Sequence, residues 1–417
     1  MTVLVVKLMC EEECNIKIHV FQALDGDSFL VTICESEKEI NILIDCGNKE
    51  TYQNYIKPYL LHMSEQGKKI DFLILTHVHS DHIGGAIPLL IENRSSAESC
   101  IIEIEHVIYN GYLGLELEAY SSLECTAKEQ RICQGILAQG RAVLGRKQTE
   151  KQITLNEELC ISHLLIQGGY RWNVWDVDRR CLIIADTHMK IDIGEHSYIQ
   201  FISPNKQQVI QMNKKWEAYL ERIYKKVPKI DNEIVRNAYE AFQWIANNTD
   251  YDTIQGLITS KDLNKESVEQ MANMSYSYDY TEENKESIAF VLSVKDKKIL
   301  FLSDANIEIC RRNLEQIYGS TPMEMELIKL SHHGSKRNIS KRFLEQFGSR
   351  SYLISAGTAD LRPSKETIAK LLVNRPKEQK KIYITNKNRT IECFDTESIH
   401  NAFMFEFVNI ANNLIEI

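Results

Sequence analysis

The chain has 417 residues, 43% hydrophobic and 26% charged, which is typical of a folded protein with one large or several average domains. No run approaches the roughly 20 apolar residues of a membrane-spanning helix, and the N-terminal apolar stretch is too short for a signal peptide. The net charge of −9 argues against a generally basic surface that coats nucleic acid. Among the eleven cysteines there is no CxxC pair, so we expect reduced thiols in a cytoplasmic protein.

Strands predominate early in the chain. The predicted strands of the first part occupy residues 15–21, 28–34, 40–47, 71–77, 101–109, 181–186 and 198–204. Two of them, 40–47 and 71–77, are nearly continuous apolar runs, as expected of strands covered on both faces. The later part alternates predicted strands with helices: it has a hairpin across 287–305 and further strands beginning near residues 325, 351, 380 and 391. The pattern predicts an α/β fold.

Between these parts the character changes. Residues 207–226 and 232–248 carry apolar side chains at helical spacing among charges, and a tyrosine-rich polar stretch follows. We therefore predict a helical insertion at 205–284, which interrupts one larger domain made of residues 1–204 and 285–417. The insertion could also contact a protein partner.

One short stretch concentrates metal-binding side chains. The segment LILTHVHSDHIGG, residues 73–85, places His77, His79, Asp81 and His82 directly behind a buried strand. In an extended segment His77 and His79 point the same way, so two imidazoles can hold one ion. The two residues beyond can turn to a second ion. Imidazole and carboxylate ligands suit zinc, manganese or iron.

The stretch resembles the signature loop of the metallo-β-lactamase fold, an αββα sandwich of two similar halves. ILIDCG, with Asp45 and Gly47, resembles the strand that supports this loop, and ILFLSDA resembles the strand that ends in a bridging aspartate, with Ser303 as a mild departure. LIKLSHHGS and LISAGTADLRPS resemble the branch related to the DNA-uptake protein ComEC, with Arg362 in place of a histidine. The resemblance covers residues 16–110 and 285–395.

The resemblance implies a set of site residues. His77 and His79 would bind one ion, Asp81 and His82 the other, and Asp304 would bridge the two. His333 or His332 would complete the second site, and the other histidine of this doublet would be structural. Many members of the fold place a further histidine on the first ion, so the mid-chain candidates are His106, His163, His188 and His196; otherwise a water fills that position. Asp27, in DGDS, is interpreted as a turn residue.

Two divalent ions, zinc or manganese, imply hydrolysis by a metal-bound hydroxide oriented by the catalytic residues Asp81 and Asp304. Ser335, Lys336 and Arg337, followed by Lys341 and Arg342, form a basic stretch suited to phosphate, so we predict a phosphodiesterase or nuclease acting on DNA or RNA. The alternative explanation of these cations is a solvated helix face. The alternatives are a hydrolase of small molecules, such as a phosphorylcholine-type ester, lactone or thioester, and a metal-binding subunit of a larger assembly.

Overall fold

The computed structural model describes residues 15–35, 38–110, 161, 164–165, 168–174, 181–211, 263–274, 279, 282–357 and 362–417. The strands in these ranges are β1 (Asn15–Val20), β2 (Phe29–Glu35), β3 (Lys38–Ile44), β4 (Ile70–Leu75), β5 (Ile104–Tyr109), β6 (Arg171–Trp172), β7 (Lys190–Asp192), β8 (Ser197–Ser203), β9 (Ala289–Val294), β10 (Lys297–Phe301), β11 (Met323–Met325), β12 (Leu327–Lys329), β13 (Phe347–Ser349), β14 (Ser351–Ile354), β15 (Lys380–Ile384), β16 (Phe405–Asn409) and β17 (Asn413–Glu416).

The α-helices in the same ranges are α1 (Lys49–Thr51), α2 (Lys57–Glu65), α3 (Ser80–Ile83), α4 (Ala86–Asn93), α5 (Lys265–Ala272), α6 (Glu282–Lys285), α7 (Ile307–Tyr318), α8 (Lys341–Gln346), α9 (Lys365–Val373), α10 (Arg389–Phe394) and α11 (Glu397–Ala402). A π-helical turn, Tyr52–Ile56, joins α1 to α2, and a 3-10 turn spans Ser331–Gly334. No helix in the described ranges is both long enough and apolar enough to cross a membrane.

Two large sheets organise the chain. Sheet 1 has the strand order β17-β1-β2-β3-β4-β5-β6, and sheet 2 has the order β16-β15-β14-β12-β10-β9-β8-β7. Strands β11 and β13 form a separate small sheet. The antiparallel pair of β1 and β17 joins strands from opposite ends of the described chain. The two parts of the predicted domain therefore share a sheet.

Side chains that alternate along the strands pack into three different apolar layers. Val31 and Leu292 belong to the cluster between the two sheets. Leu30 faces the other way, into a cluster that includes helices α2 and α4 on the outside of sheet 1. Val291 likewise faces the cluster that includes α7 and α9 on the outside of sheet 2. Because both faces of each sheet are covered at its centre, central strands such as β4 and β9 are buried at every position, and the layers follow the order αββα.

The polar ends of the strands converge at one edge of the sandwich. Strands β3 and β4 run parallel in sheet 1, and β10, β12 and β14 run parallel in sheet 2. Each of these five strands is followed at its carboxyl end by a residue of the predicted metal centre or of its surroundings, namely Asp45, His77, Asp304, His333 and Ser355. This is the position at which sheets of parallel strands place their binding sites.

Two predicted strands are wrong. Residues 181–186 form loop and turn, because the side chain of Asn110 occupies both backbone hydrogen-bonding groups of Ile183. Asn110 Nδ2 donates to the Ile183 carbonyl (2.7 Å), and Asn110 Oδ1 accepts from the Ile183 N–H (2.9 Å). Residues 391–395 fall largely within helix α10, whose N-terminus Asn388 caps by accepting from the Ile391 N–H. In both segments, side-chain hydrogen bonds to the backbone stabilise a different conformation, and the apolar run is too short to distinguish a strand from a helix or loop.

Most of the predicted helical insertion, residues 212–262, lies outside the described residues. Its described end is part of the domain, because Val268 and Ala272 of helix α5 are buried in the outer cluster of sheet 2. The domain boundaries and the partner-binding role stay predictions.

Candidate metal centre

The histidine-rich loop begins where β4 ends. His77 follows the strand, His79 is the residue before α3, and Asp81 and His82 occupy the first turn of that helix. Close backbone packing fixes the loop: a Cβ atom on Gly26 would lie 1.9 Å from the carbonyl oxygen of Asp81. The Asp27 N–H donates to the same oxygen (3.1 Å), so the turn before β2 positions the helix that carries two predicted ligands.

Asp304 is the centre of the cluster. Its Oδ1 lies 3.4 Å from His82 Nε2 and 3.9 Å from His333 Nε2. Its Oδ2 lies 3.7 Å from His77 Nε2 and 3.5 Å from His332 Nε2. Four imidazoles from the ends of two strands, β4 and β12, thus surround the carboxylate that follows β10, an arrangement consistent with the predicted bridging role.

The remaining predicted ligands line the same cluster. Asp81 Oδ2 lies 3.3 Å from His333 Nε2 and 3.9 Å from His82 Nε2. The ring of His79 lies 4.6 Å from that of His77, centroid to centroid. The structure therefore brings all seven predicted ligands together, three of which are partly exposed: His79, Asp81 and His332. These three define the open side of the centre.

Hydrogen bonds from Nδ1 fix the tautomers of the buried histidines. His82 Nδ1 donates to Asp45 Oδ2 (2.8 Å) and His333 Nδ1 to the Ser355 carbonyl (3.0 Å). The hydroxyl of Thr76 donates to Asp45 (2.7 Å), so at 3.1 Å His77 Nδ1 must be the donor to Thr76 Oγ1. In the neutral form of each imidazole, Nε2 is consequently left with its lone pair toward Asp304, which is how metal-binding histidines are prepared.

The buried polar atoms of this centre fit bound metal. His77 Nε2, His82 Nε2, His333 Nε2 and Asp304 Oδ1 are buried and have no hydrogen-bond partner within the described part of the chain. An unsatisfied buried polar atom ordinarily costs about 1–3 kcal/mol, and four that face one another are difficult to explain by packing. Divalent ions bound by these nitrogen and oxygen atoms would satisfy all four. His77, His82 and Asp304 form one group with donor atoms mutually within 4.8 Å, and Asp81, His82 and His333 form another.

Burial and charge set the protonation of the centre. Burial alone would raise the pKa of Asp304, but the nearby His332 and His82 hold it well below its usual range. Burial works to lower the pKa of His82, yet Asp304 and Asp81 raise it well above its ordinary value. For His77, burial and then the charge of His82 lower the pKa. A proton on His82 therefore stabilises the metal-free centre and must leave when an ion binds.

A buried ion pair that the sequence interpretation missed supports this cluster. Asp27, interpreted as a turn residue, is almost fully buried, and Lys329 Nζ donates to its Oδ2 (2.6 Å). Ser355 Oγ donates to its Oδ1, which lies 3.5 Å from His333 Nδ1. The signal in the sequence was a lysine inside the apolar run LIKL, since a buried lysine requires a partner.

The three mid-chain histidines that the structure describes do not join the centre. His106 stacks on Phe72 with 5.2 Å between ring centroids, and His188 and His196 are exposed. His163 lies outside the described residues. Among the described residues, the groups able to hold a metal contain none of the other three.

The predicted substrate residues follow the centre directly. Ser335 directly follows the 3-10 turn, and Lys336 and Arg337 are exposed beside it. Lys336 Nζ lies 3.1 Å from Glu366 Oε1, and Lys341 Nζ donates to Asn273 Oδ1 (2.8 Å). Two of the cations in the basic stretch are thus already paired with neighbours of this chain.

Residues 22–116 match the model of the Metallo-beta-lactamase superfamily, and this range includes the histidine-rich loop. No curated protein matches the chain. Among solved structures the chain is similar to a mutant of the CmlA beta-hydroxylase, at 9% identity and a TM-score of 0.33, over 97% of this chain and 54% of that one. It spans about half the length of that neighbour. The two sheets with their helices are consistent with the metallo-β-lactamase fold, and the His/Asp groups support a metal-dependent hydrolase.

Proposed function

We propose that this protein is a dinuclear metal-dependent phosphodiesterase, a nuclease acting on DNA or RNA. The observation that carries the metal-dependent part is the set of four buried, unpartnered atoms that face one another around Asp304. Zinc or manganese suits this mixture of imidazole and carboxylate. When bound, the ions would supply Lewis acidity and an activated water.

The residues of the chain have separate roles in this proposal. Asp304 would lie between the two ions, since each of its oxygens faces a different pair of imidazoles. Asp81, with 35% of its side chain exposed, reaches the open side and would orient the attacking water. Asp45 and Ser355 would keep His82 and His333 in the tautomer that binds metal.

A phosphodiester substrate is supported by the charge beside the open side. Lys336 and Arg337 are exposed and lie three and four residues from His333, a chain distance of at most about 14 Å. Cations at this distance from a dinuclear centre can neutralise phosphoryl oxygens and hold a nucleic-acid backbone. The resemblance of the surrounding segment to the ComEC-related branch supports the same substrate class.

A second candidate, a hydrolase of small esters, lactones or thioesters, is favoured by one observation. Lys336 is paired with Glu366 and Lys341 with Asn273, so only part of the basic stretch is available to a polyanion. A small substrate would need the metal centre alone.

The test compares three substrates: a labelled single strand of DNA or RNA, bis-p-nitrophenyl phosphate, and a lactone. The variant Lys336→Ala/Arg337→Ala should raise KM for the long strand and reduce the slope of log K against log salt by roughly 0.7–0.9 per lost phosphate contact. Activity on bis-p-nitrophenyl phosphate should change little. The matched control is Lys190→Ala/Lys381→Ala, which removes two partly exposed, ion-paired lysines from β7 and from near the start of β15.

The outcomes separate the candidates. Strand cleavage with an unchanged salt slope in the Lys336/Arg337 variant would remove the basic stretch from the proposal. Hydrolysis of the lactone alone would remove the nuclease and support the second candidate. Absence of metal in protein purified without chelator, together with no activity on any substrate after metal is added, would overturn the hydrolase itself.

A further inference from the structure

The histidine doublet after β12 has a backbone that lets both side chains face the centre. His332 and His333 have φ angles of 50° and 55°, and Gly334 follows at 80°. In an extended strand, neighbouring side chains point to opposite faces, so only one of two adjacent histidines could reach a given site. Two consecutive non-glycine residues in the left-handed region are uncommon and costly, which indicates a functional constraint.

The two histidines approach different oxygens of Asp304. His332 Nε2 lies 3.5 Å from Oδ2, the oxygen that also faces His77 at 3.7 Å. His333 Nε2 lies 3.9 Å from Oδ1, the oxygen that faces His82 at 3.4 Å, and it is 3.3 Å from Asp81. The carboxylate thus divides the cluster into two sides.

We propose that the doublet supplies one ligand to each ion: His332 completes the site of His77 and His79, and His333 completes the site of Asp81 and His82. This rests on the dinuclear centre of the proposed function and adds the division of its ligands. His332 takes the position that none of the described mid-chain histidines reaches. His332 is not a member of the two compact groups described above, whose donor atoms lie within 4.8 Å of one another. It approaches Asp304 from the open side: 15% of the His332 side chain is exposed, compared with 2% of the His333 side chain.

A carboxylate from the end of the predicted insertion positions His332. Asp279 Oδ2 accepts from His332 Nδ1 (3.1 Å) and is itself held by Asn284 Nδ2 (2.8 Å). The Asp279 carbonyl accepts from Asn306 Nδ2 (3.1 Å), which holds Asp279 against the residue that precedes α7. Donation from Nδ1 to a carboxylate leaves the Nε2 lone pair directed at Asp304. A structural histidine would not need this orientation, whereas a metal ligand does.

The experiment measures cobalt(II) binding by the whole chain, with stoichiometry from equilibrium dialysis and ligand environment from the visible absorption of the bound ion. The parent should bind two equivalents. His332→Ala and His333→Ala should each lose or weaken one ion, and the ion that remains should give a different spectrum in the two variants. Asp279→Asn should weaken the His332-side ion by about 10- to 100-fold while the other ion keeps its affinity. His196→Ala, an exposed and remote histidine, is the matched control.

The outcomes distinguish a metal-binding His332 from a structural one. If His332→Ala and Asp279→Asn both bind two ions with parental affinities, His332 is structural and the proposal is wrong. A parent that binds fewer than two ions refutes the dinuclear centre of the proposed function instead. Thermal unfolding of each metal-free variant checks the fold, and if His332→Ala does not fold, Asp279→Asn decides alone because it keeps the imidazole.

Discussion

The substitution Asp45→Asn tests how the buried carboxylate behind the loop prepares the centre. Asp45 has a φ of 53° and accepts three hydrogen bonds: from the Thr76 N–H (2.8 Å), the Thr76 hydroxyl (2.7 Å) and His82 Nδ1 (2.8 Å). Asparagine has nearly the same shape and tolerates the left-handed region. Because the Thr76 N–H is fixed by the backbone, the amide oxygen keeps the Oδ1 position that accepts from it, and the amide nitrogen in the Oδ2 position then faces two donors, the Thr76 hydroxyl and His82 Nδ1.

The Thr76 hydroxyl can rotate away, whereas His82 can only change tautomer. Its proton then moves to Nε2, the buried atom that faces Asp304, and this nitrogen can no longer bind metal. A hydrogen bond to a charged group contributes about 1.5–3 kcal/mol. Loss of a supporting carboxylate typically reduces metal affinity about 10- to 100-fold, or ~1.4–2.8 kcal/mol, so the two magnitudes agree.

The assay is a titration of the metal-free protein with zinc against a chelator of known affinity. We expect the Asp45→Asn variant to bind one ion about 10- to 100-fold more weakly, because the proposed division of ligands assigns His82 to one ion only. Asp71→Asn is the control, since Asp71 is also buried and accepts a backbone N–H (from Asn41, 2.8 Å), but lies near the amino end of β4, away from the loop. Parental affinity for both ions in Asp45→Asn, with the fold intact, would refute the reasoning about the tautomer.

Three further predictions follow from other parts of the structure. Asp81→Ala should abolish hydrolysis while the unfolding midpoint of the metal-free protein changes little, because this side chain is 35% exposed; equal loss of soluble protein and of activity would indicate a structural role. Gly26→Ala should lower the free energy of unfolding by about 1–3 kcal/mol, since its Cβ would lie 1.9 Å from the Asp81 carbonyl oxygen; urea unfolding that matches the parent would contradict this close packing. Burial lowers the pKa of His19 to about 4, below the unfolded value of 6.5, so the neutral imidazole's contribution to folding stability is complete above pH 6.5 and is lost as the pH falls toward 4. In urea unfolding at pH 7 and pH 4.5, His19→Gln should make the loss of unfolding free energy at the lower pH smaller by about 1–2 kcal/mol, after allowance for partial exposure. A loss equal to that of the parent would exclude this group.

The sequence predicted those parts of the site that depend on local pattern. His77, His79, Asp81 and His82 lie together because they follow one apolar strand within six residues, and Asp304 reaches them because both sheets end at the same edge. These features need only strand periodicity and the family resemblance.

The parts that the sequence did not reveal depend on backbone conformation or on contacts between distant residues. The sequence pattern HHG left one histidine of the doublet structural, and it gave no indication of the left-handed turn at His332 and His333 that lets both side chains face the centre. The pair Asp27–Lys329 joins residues 302 positions apart, and no local pattern in DGDS indicates this partner. The edge strand β17 was missed because its four residues carry no lasting alternation.

The pairing of β17 with β1 has a consequence for synthesis on the ribosome. Strands β1 to β5 emerge first; Asp304 and His333 emerge about 200 residues after β5, and β17, which covers the β1 edge, about 300 residues after it. At about 5–20 residues per second, the nascent sheet keeps an uncovered edge and half a metal centre for tens of seconds. In the proposed dinuclear centre, the loop of His77 to His82 supplies only part of the ligands, so tight metal loading would come after the second sheet has folded. A nascent chain stalled before Asp304 should therefore be a substrate for holding chaperones and should not retain zinc.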